Sequence, residues 1–127
     1  MYKYKRNRVG IFDRLTRLEC GYYIDNFEDK GITLKSFEED KREKKTYIIF
    51  DALKVDGTKD SIRIVVDDRR GKAEVDFIPH AALEGMNLSL EELDLITDFL
   101  QFCEARDILV LFRALYPERE LKYHDAV

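Results

Sequence analysis

The sequence predicts a single α+β domain over residues 1–127, an antiparallel meander of three to four strands. An amphipathic C-terminal helix covers one face of the meander, and a second helix lies near the N-terminus. Three observations lead there. Three β-rich runs between Thr46 and Ile78 are joined by short turns at Asp56-Gly57 and Asp67-Asp68-Arg69-Arg70-Gly71, which leave no room for crossover helices and so exclude a doubly wound nucleotide-binding sheet. An apolar stripe with helical spacing runs from Leu90 to Cys103. A capping box opens that stripe. Ser89 is placed to accept from the N–H of Glu92, the Glu92 carboxylate to reach back to Ser89, and Leu88 with Leu93 forms the hydrophobic staple.

Taken in order, the chain begins Tyr2-Lys3-Tyr4-Lys5-Arg6-Asn7-Arg8-Val9, which alternates aromatic and basic residues as a short edge strand does. Ile11 to Lys30 reads as a helix with a stripe of Phe12, Leu15, Leu18 and Tyr22, continued by Ile24 or Phe27. Gly31 suits its C-cap. Gly21 in its middle costs about 1 kcal/mol relative to Ala, so a strand pair turning there competes. Ile32 to Phe37 is the first strand. Glu38 to Lys45 alternates in sign with no apolar residue, as a solvated loop or hairpin tip does.

Thr46–Val55, Ser61–Val66 and Lys72–Ile78 are the strands of the meander, the last with Glu74 and Asp76 on a wet face. The helix that starts at Ser89 turns Glu91, Asp94, Asp98 and Gln101 away from its apolar arc. Ile108 to Phe112 then continues as helix, ending before Pro117, with a buried strand as the competing reading. The tail after Pro117 pairs weakly at an edge or frays.

Composition narrows the function classes. Charged residues make up 38% of the chain and apolar residues 45%. That balance describes a folded protein with a heavily solvated surface and excludes intrinsic disorder. Cys20 and Cys103 lie far apart, in no pair motif, and read as buried thiols of a reducing compartment. No apolar run approaches the roughly 18 residues that a membrane helix needs, and the basic start leads into no signal-peptide core. A cytoplasmic location is the expectation.

No catalytic constellation stands out. His80 and His124 are the only histidines, neither has a cysteine nearby, and Gly57 and Gly71 are single turn glycines. No metal ligand, catalytic residue or cofactor is assigned. A metal-dependent nuclease would draw on Asp51, Asp67, Asp68, Glu74 and Asp76, but Glu74-Val75-Asp76 lacks the lysine that such a site places there.

The main electrostatic fact is an asymmetry. Lys3, Lys5, Arg6, Arg8, Arg14 and Arg17 are opposed only by Asp13. From Glu84 to Asp107, seven acids face Arg106 alone. The plain explanation is that the basic segment lies across the acidic helix of its own fold. The expected function is a small non-catalytic module that binds another protein, of the inhibitor, immunity, adaptor or mobile-element accessory kind. Candidate contacts are Tyr2, Lys3, Tyr4, Lys5 and Arg6 at the N-terminus, Arg69, Arg70 and Lys72 at a hairpin tip, and Glu91, Asp94 and Asp98 on the helix. The alternative is a nucleic-acid binder, in which the N-terminal cations neutralise phosphates and the tyrosines stack on bases. Homodimerisation through an exposed sheet edge is a further option.

Overall fold

A computed structural model describes residues 14–77 and 90–121 of the chain. Within them, a four-stranded antiparallel meander carries its helices on one face. The elements are α1 (Arg14–Asp29), β1 (Ile32–Asp40), β2 (Lys45–Leu53), β3 (Lys59–Asp67), β4 (Lys72–Phe77), α2 (Leu90–Glu104) and α3 (Ile108–Leu115), followed by a single 3-10 turn over Pro117–Arg119. The strands lie side by side in chain order, so every pairing is made between sequence neighbours.

Helix α1 runs unbroken through Gly21, so the competing strand pair does not form. Its buried residues are Thr16, Cys20, Ile24 and Phe27, spaced four, four and three apart as one helical face requires. This corrects the predicted stripe. Leu15, Leu18 and Tyr22 are 72%, 59% and 58% exposed, because α1 is apolar on two opposite faces and the one bearing Cys20 meets the sheet. Ile11 to Asp13, including Phe12, lie outside the described residues. The helix ends where the N–H of Lys30 donates to Phe27 and that of Gly31 to Glu28. Gly31 sits at φ +81°, the left-handed C-cap position that favours glycine.

Strand β1 runs three residues beyond the predicted Phe37. Glu38, Glu39 and Asp40 pair with Tyr47, Thr46 and Lys45, so the charged stretch is half strand and only residues 41–44 turn. An irregularity between Leu34 and Ser36 inserts one residue. It switches the inward parity, so Ile32 and Leu34 face the core before it and Phe37 faces the core after it. In β2 the inward set is Thr46, Ile48, Phe50 and Ala52, and in β3 it is Ile62, Ile64 and Val66.

The predicted C-terminal rod is two helices. Helix α2 closes at Glu104, and Asp107 restarts the chain as the N-cap of α3, its Oδ1 accepting the N–H of Val110 at 3.3 Å. An aspartate is a poor helix interior residue and a good cap, so the break falls there. The helical reading of Ile108 to Phe112 holds, with Ile108, Leu109, Leu111 and Phe112 buried and the end before Pro117. The capping box at Ser89 lies outside the described residues.

Aromatic rings form the centre of the core. Phe27 meets Phe50 at 5.5 Å and Phe99 at 5.2 Å between centroids, and Tyr23 leans on Phe99 and Phe102. A second group joins Phe37 to Phe112 and Phe112 to Tyr116. Each edge-to-face pair adds about 0.5–1.5 kcal/mol beyond the burial of its area. Phe99 and Phe102 are thus the anchors of α2.

As far as Leu121 the tail pairs at a sheet edge rather than fraying, and its remainder from Lys122 lies outside the described residues. The N–H of Leu121 donates to the carbonyl of Phe37 at 2.8 Å, and Glu120 bridges Phe37 in parallel. Arg113 links Glu39 at 3.1 Å and Glu120 at 2.7 Å, and Arg119 donates to the carbonyl of Leu34. At the other edge, Glu104 Oε2 accepts the N–H of Ala73 on β4 at 2.8 Å. Both outer strands therefore carry a cap, which obstructs edge-to-edge pairing at those points.

Candidate functional site

In a meander the first and third turns emerge at the same end of the sheet. Here those turns are built alike. Asp40 pairs with Lys45 and Asp67 with Lys72, each pair enclosing four residues. Asp40 Oδ1 accepts the N–H of Glu43 at 3.0 Å, and Asp67 Oδ1 accepts those of Arg69 and Arg70 at 3.0 and 3.3 Å. The fourth loop residue is left-handed in both, Gly71 at φ +65° and Lys44 at φ +57°.

The two turns are stitched to each other. The carbonyl of Lys44 accepts the N–H of Asp68 at 2.9 Å, and Arg69 Nη2 reaches the carbonyl of Arg42 at 3.4 Å. Lys41, Arg42, Lys44 and Lys45 thereby join Arg69, Arg70 and Lys72 at one end of the sheet. All but Lys45 are exposed. Asp40, Glu43, Asp67 and Asp68 are interleaved with them, so the end is cationic but mixed.

The carboxylates divide by environment. Desolvation works against ionised Asp67, but donors from Arg70 and Arg69 outweigh it and hold its pKa below the usual carboxylate range. Asp68 moves the other way, to about 6, through desolvation first and then the negative charges of Asp107, Glu39 and Asp67, with Lys44 opposing.

Behind Asp68 a hollow of about 430 Å³ opens between the β3–β4 turn and the α2–α3 connection. Glu39, Asp67, Asp68, Glu104, Arg106 and Asp107 line it. Four of these acids have structural work: Glu104 caps the β4 edge, Asp107 caps α3, Asp67 holds its turn and Glu39 pairs with Arg113. Among the described residues no group of three or more His, Cys, Asp or Glu side chains is placed to hold a metal ion.

A second hollow of about 210 Å³ lies beside the turns, lined by Lys45, Val65, Asp67, Arg70 and Lys72 among others. Tyr47, two residues along β2 from Lys45 and on the same side of the sheet, sits under the Arg63 guanidinium at 5.7 Å from its ring centroid. Arg63 is held in turn by Asp76 at 2.6 Å.

The sequence-predicted residues are dispersed. Arg69, Arg70 and Lys72 stand together as expected at the hairpin tip. Asp94 and Asp98 are exposed on α2, and Asp98 lies near Tyr23 of α1, away from the turns. Glu91 falls in the first turn of α2, with its side chain outside the described residues. Tyr2, Lys3, Tyr4, Lys5 and Arg6, and with them the expected contact between the basic segment and the acidic helix, also lie outside them. Sequence reasoning missed Arg42, Lys44 and Lys45 as partners of the Arg69 turn. The signal was the meander itself, which brings alternate turns to one end.

No helix among the described residues is long and apolar enough to cross a membrane. Comparison with protein-family models, with curated proteins and with solved structures finds no match.

Proposed function

We propose that this chain is a non-catalytic binding module that docks another protein, and that the paired hairpin turns are its contact surface. The observation that supports this is the gathering of Arg42, Lys44 and Lys45 with Arg69, Arg70 and Lys72 on two turns tied by the Lys44–Asp68 hydrogen bond. Such a surface favours an acidic partner and speeds encounter with it. The interleaved Asp40, Glu43, Asp67 and Asp68 suit the mixed charges of a folded protein better than a uniform row of phosphates. The test is charge reversal at exposed positions, Arg42→Glu with Arg69→Glu, followed by quantitative capture from host lysate. One protein species retained by the parent chain and lost by the variant is the expected result. Capture that the variant leaves unchanged overturns it.

Nucleic acid is the second reading, and Tyr47 favours it. A half-buried tyrosine near Lys45 and Lys72, with the Arg63 guanidinium over its ring, supplies the aromatic surface and the cations that stack a base and hold its backbone. Single-stranded oligonucleotide binding that weakens steeply with salt, and that Tyr47→Ala abolishes, would replace the first reading with this one.

A further inference from the structure

Helix α1 has a second apolar face, opposite the one that meets the sheet, that is largely exposed. Leu15, Leu18 and Tyr22 point away from Cys20, Ile24 and Phe27, and all three are more than half exposed. They recur at three- and four-residue spacing, as the apolar residues of a helix that pairs with another helix do, and Asp25 continues the row. Beside Leu18 and Tyr22 lies Gly21, where an added Cβ would meet nothing within 4 Å. A small residue in that position lets a second backbone approach closely.

The charges on α1 run against its own dipole. Arg14 and Arg17 stand at the N-terminal end, Asp25, Glu28 and Asp29 at the C-terminal end. The first turn carries no acid and the last turn no base, although the helix dipole favours the reverse order. A neighbouring helix laid antiparallel along the outer face corrects this, since its Asp25 would lie over Arg14 and its Arg14 over Asp25. A parallel neighbour of the same sequence would set like charges together.

We propose that the outer face of α1 packs antiparallel against the same face of a second copy of this chain. In that pairing Leu18 of each copy lies over Gly21 and Tyr22 of the other, and Arg14 faces Asp25. The contact is isologous, so each favourable pair occurs twice. Two to three helical turns make a small interface, at the transient end of the known range. It is distinct from the hairpin turns and stands whether or not those turns bind a protein.

The experiment is sedimentation equilibrium of the full chain from low micromolar to near millimolar concentration, with circular dichroism to confirm that each variant folds. A concentration-dependent dimer is expected, weakening as salt is added. Leu18→Glu should leave a monomer throughout. Arg14→Asp and Asp25→Arg should each weaken the dimer about three- to tenfold, and the two together should restore it. A parent chain that stays monomeric overturns the proposal, as does a dimer indifferent to Leu18→Glu. A monomer in which Leu18→Glu abolishes capture of a different protein also overturns it, and assigns the face to that protein.

Discussion

The carbonyl of Lys44 accepts the backbone N–H of Asp68 at 2.9 Å, joining the tips of two hairpins that are separate in sequence. Lys44 makes this bond from a left-handed conformation, φ +57°, in the loop position that Gly71 fills in the neighbouring turn. A side chain there costs on the order of 1 kcal/mol. Lys44→Gly should therefore leave stability unchanged or raise it by up to about 1 kcal/mol, the relief being offset by glycine's larger unfolded-state entropy. Lys44→Val should lower it by a comparable amount or more. Thermal denaturation of the two variants beside the parent checks both signs.

Asp68 makes stability pH-dependent. Its pKa is raised from 3.8 to about 6 on folding, so the folded chain holds the proton more tightly than the unfolded one. The stabilisation that protonation provides is complete below about pH 4 and is lost as pH rises through about 6. Asp68→Asn should remove this dependence and raise stability at pH 7–8. The gain should be on the order of 1 kcal/mol once the screening of an exposed group is allowed for. Urea denaturation between pH 4 and pH 8 tests it, and a variant that gains nothing above pH 6 would contradict the assignment.

Asp107 is the joint between α2 and α3. Replacing it with Ala removes the acceptor for the N–H of Val110 and should cost about 1 kcal/mol, while Asp107→Ser should keep most of the stability. Chemical denaturation with the midpoint as readout distinguishes the two. Equal losses would mean that the side chain caps nothing in solution.

The two thiols should be inert while the fold lasts. Cys20 and Cys103 are fully buried. Burial pushes Cys20 up to about 12, with its hydrogen bond to Tyr116 opposing, and pushes Cys103 well above the ordinary thiol value. Thiolate is the reactive form, so a thiol-specific chromophoric reagent at pH 7 should label neither until denaturant is added. Rapid labelling of the native protein would show that α1 and α2 separate readily.

The meander was legible because its signals are local. Asp56-Gly57 and Asp67 to Gly71 are turns by chemistry, and β2, β3 and β4 alternate or run apolar between them. Gly31 marked the end of α1 for the same reason. The choice of α1's buried face was not local. Leu15-Leu18-Tyr22 and Cys20-Ile24-Phe27 are both acceptable apolar stripes, and only the sheet's demand for a partner decides between them. The division of the C-terminal helix was written in Asp107, a residue that the continuous apolar spacing on either side concealed. At the candidate site, single residues such as Arg69 were visible, but their assembly with Arg42 and Lys44 depends on strand register that no short window contains.

The seal on β1 bears on how the protein is made. The strand's outer edge is closed at Phe37 by Glu120 and Leu121 and held by Arg113 between Glu39 and Glu120. All of the sheet's own pairings can form as the nascent chain emerges, since each joins neighbours. The closing segment leaves the ribosome only after all four strands and the helices that follow them. Until then the emerging sheet presents open hydrogen-bonding groups along its first strand, the condition in which chains recruit one another. A chain stopped at Tyr116 should form the meander yet aggregate as it accumulates, which light scattering during cell-free translation would register.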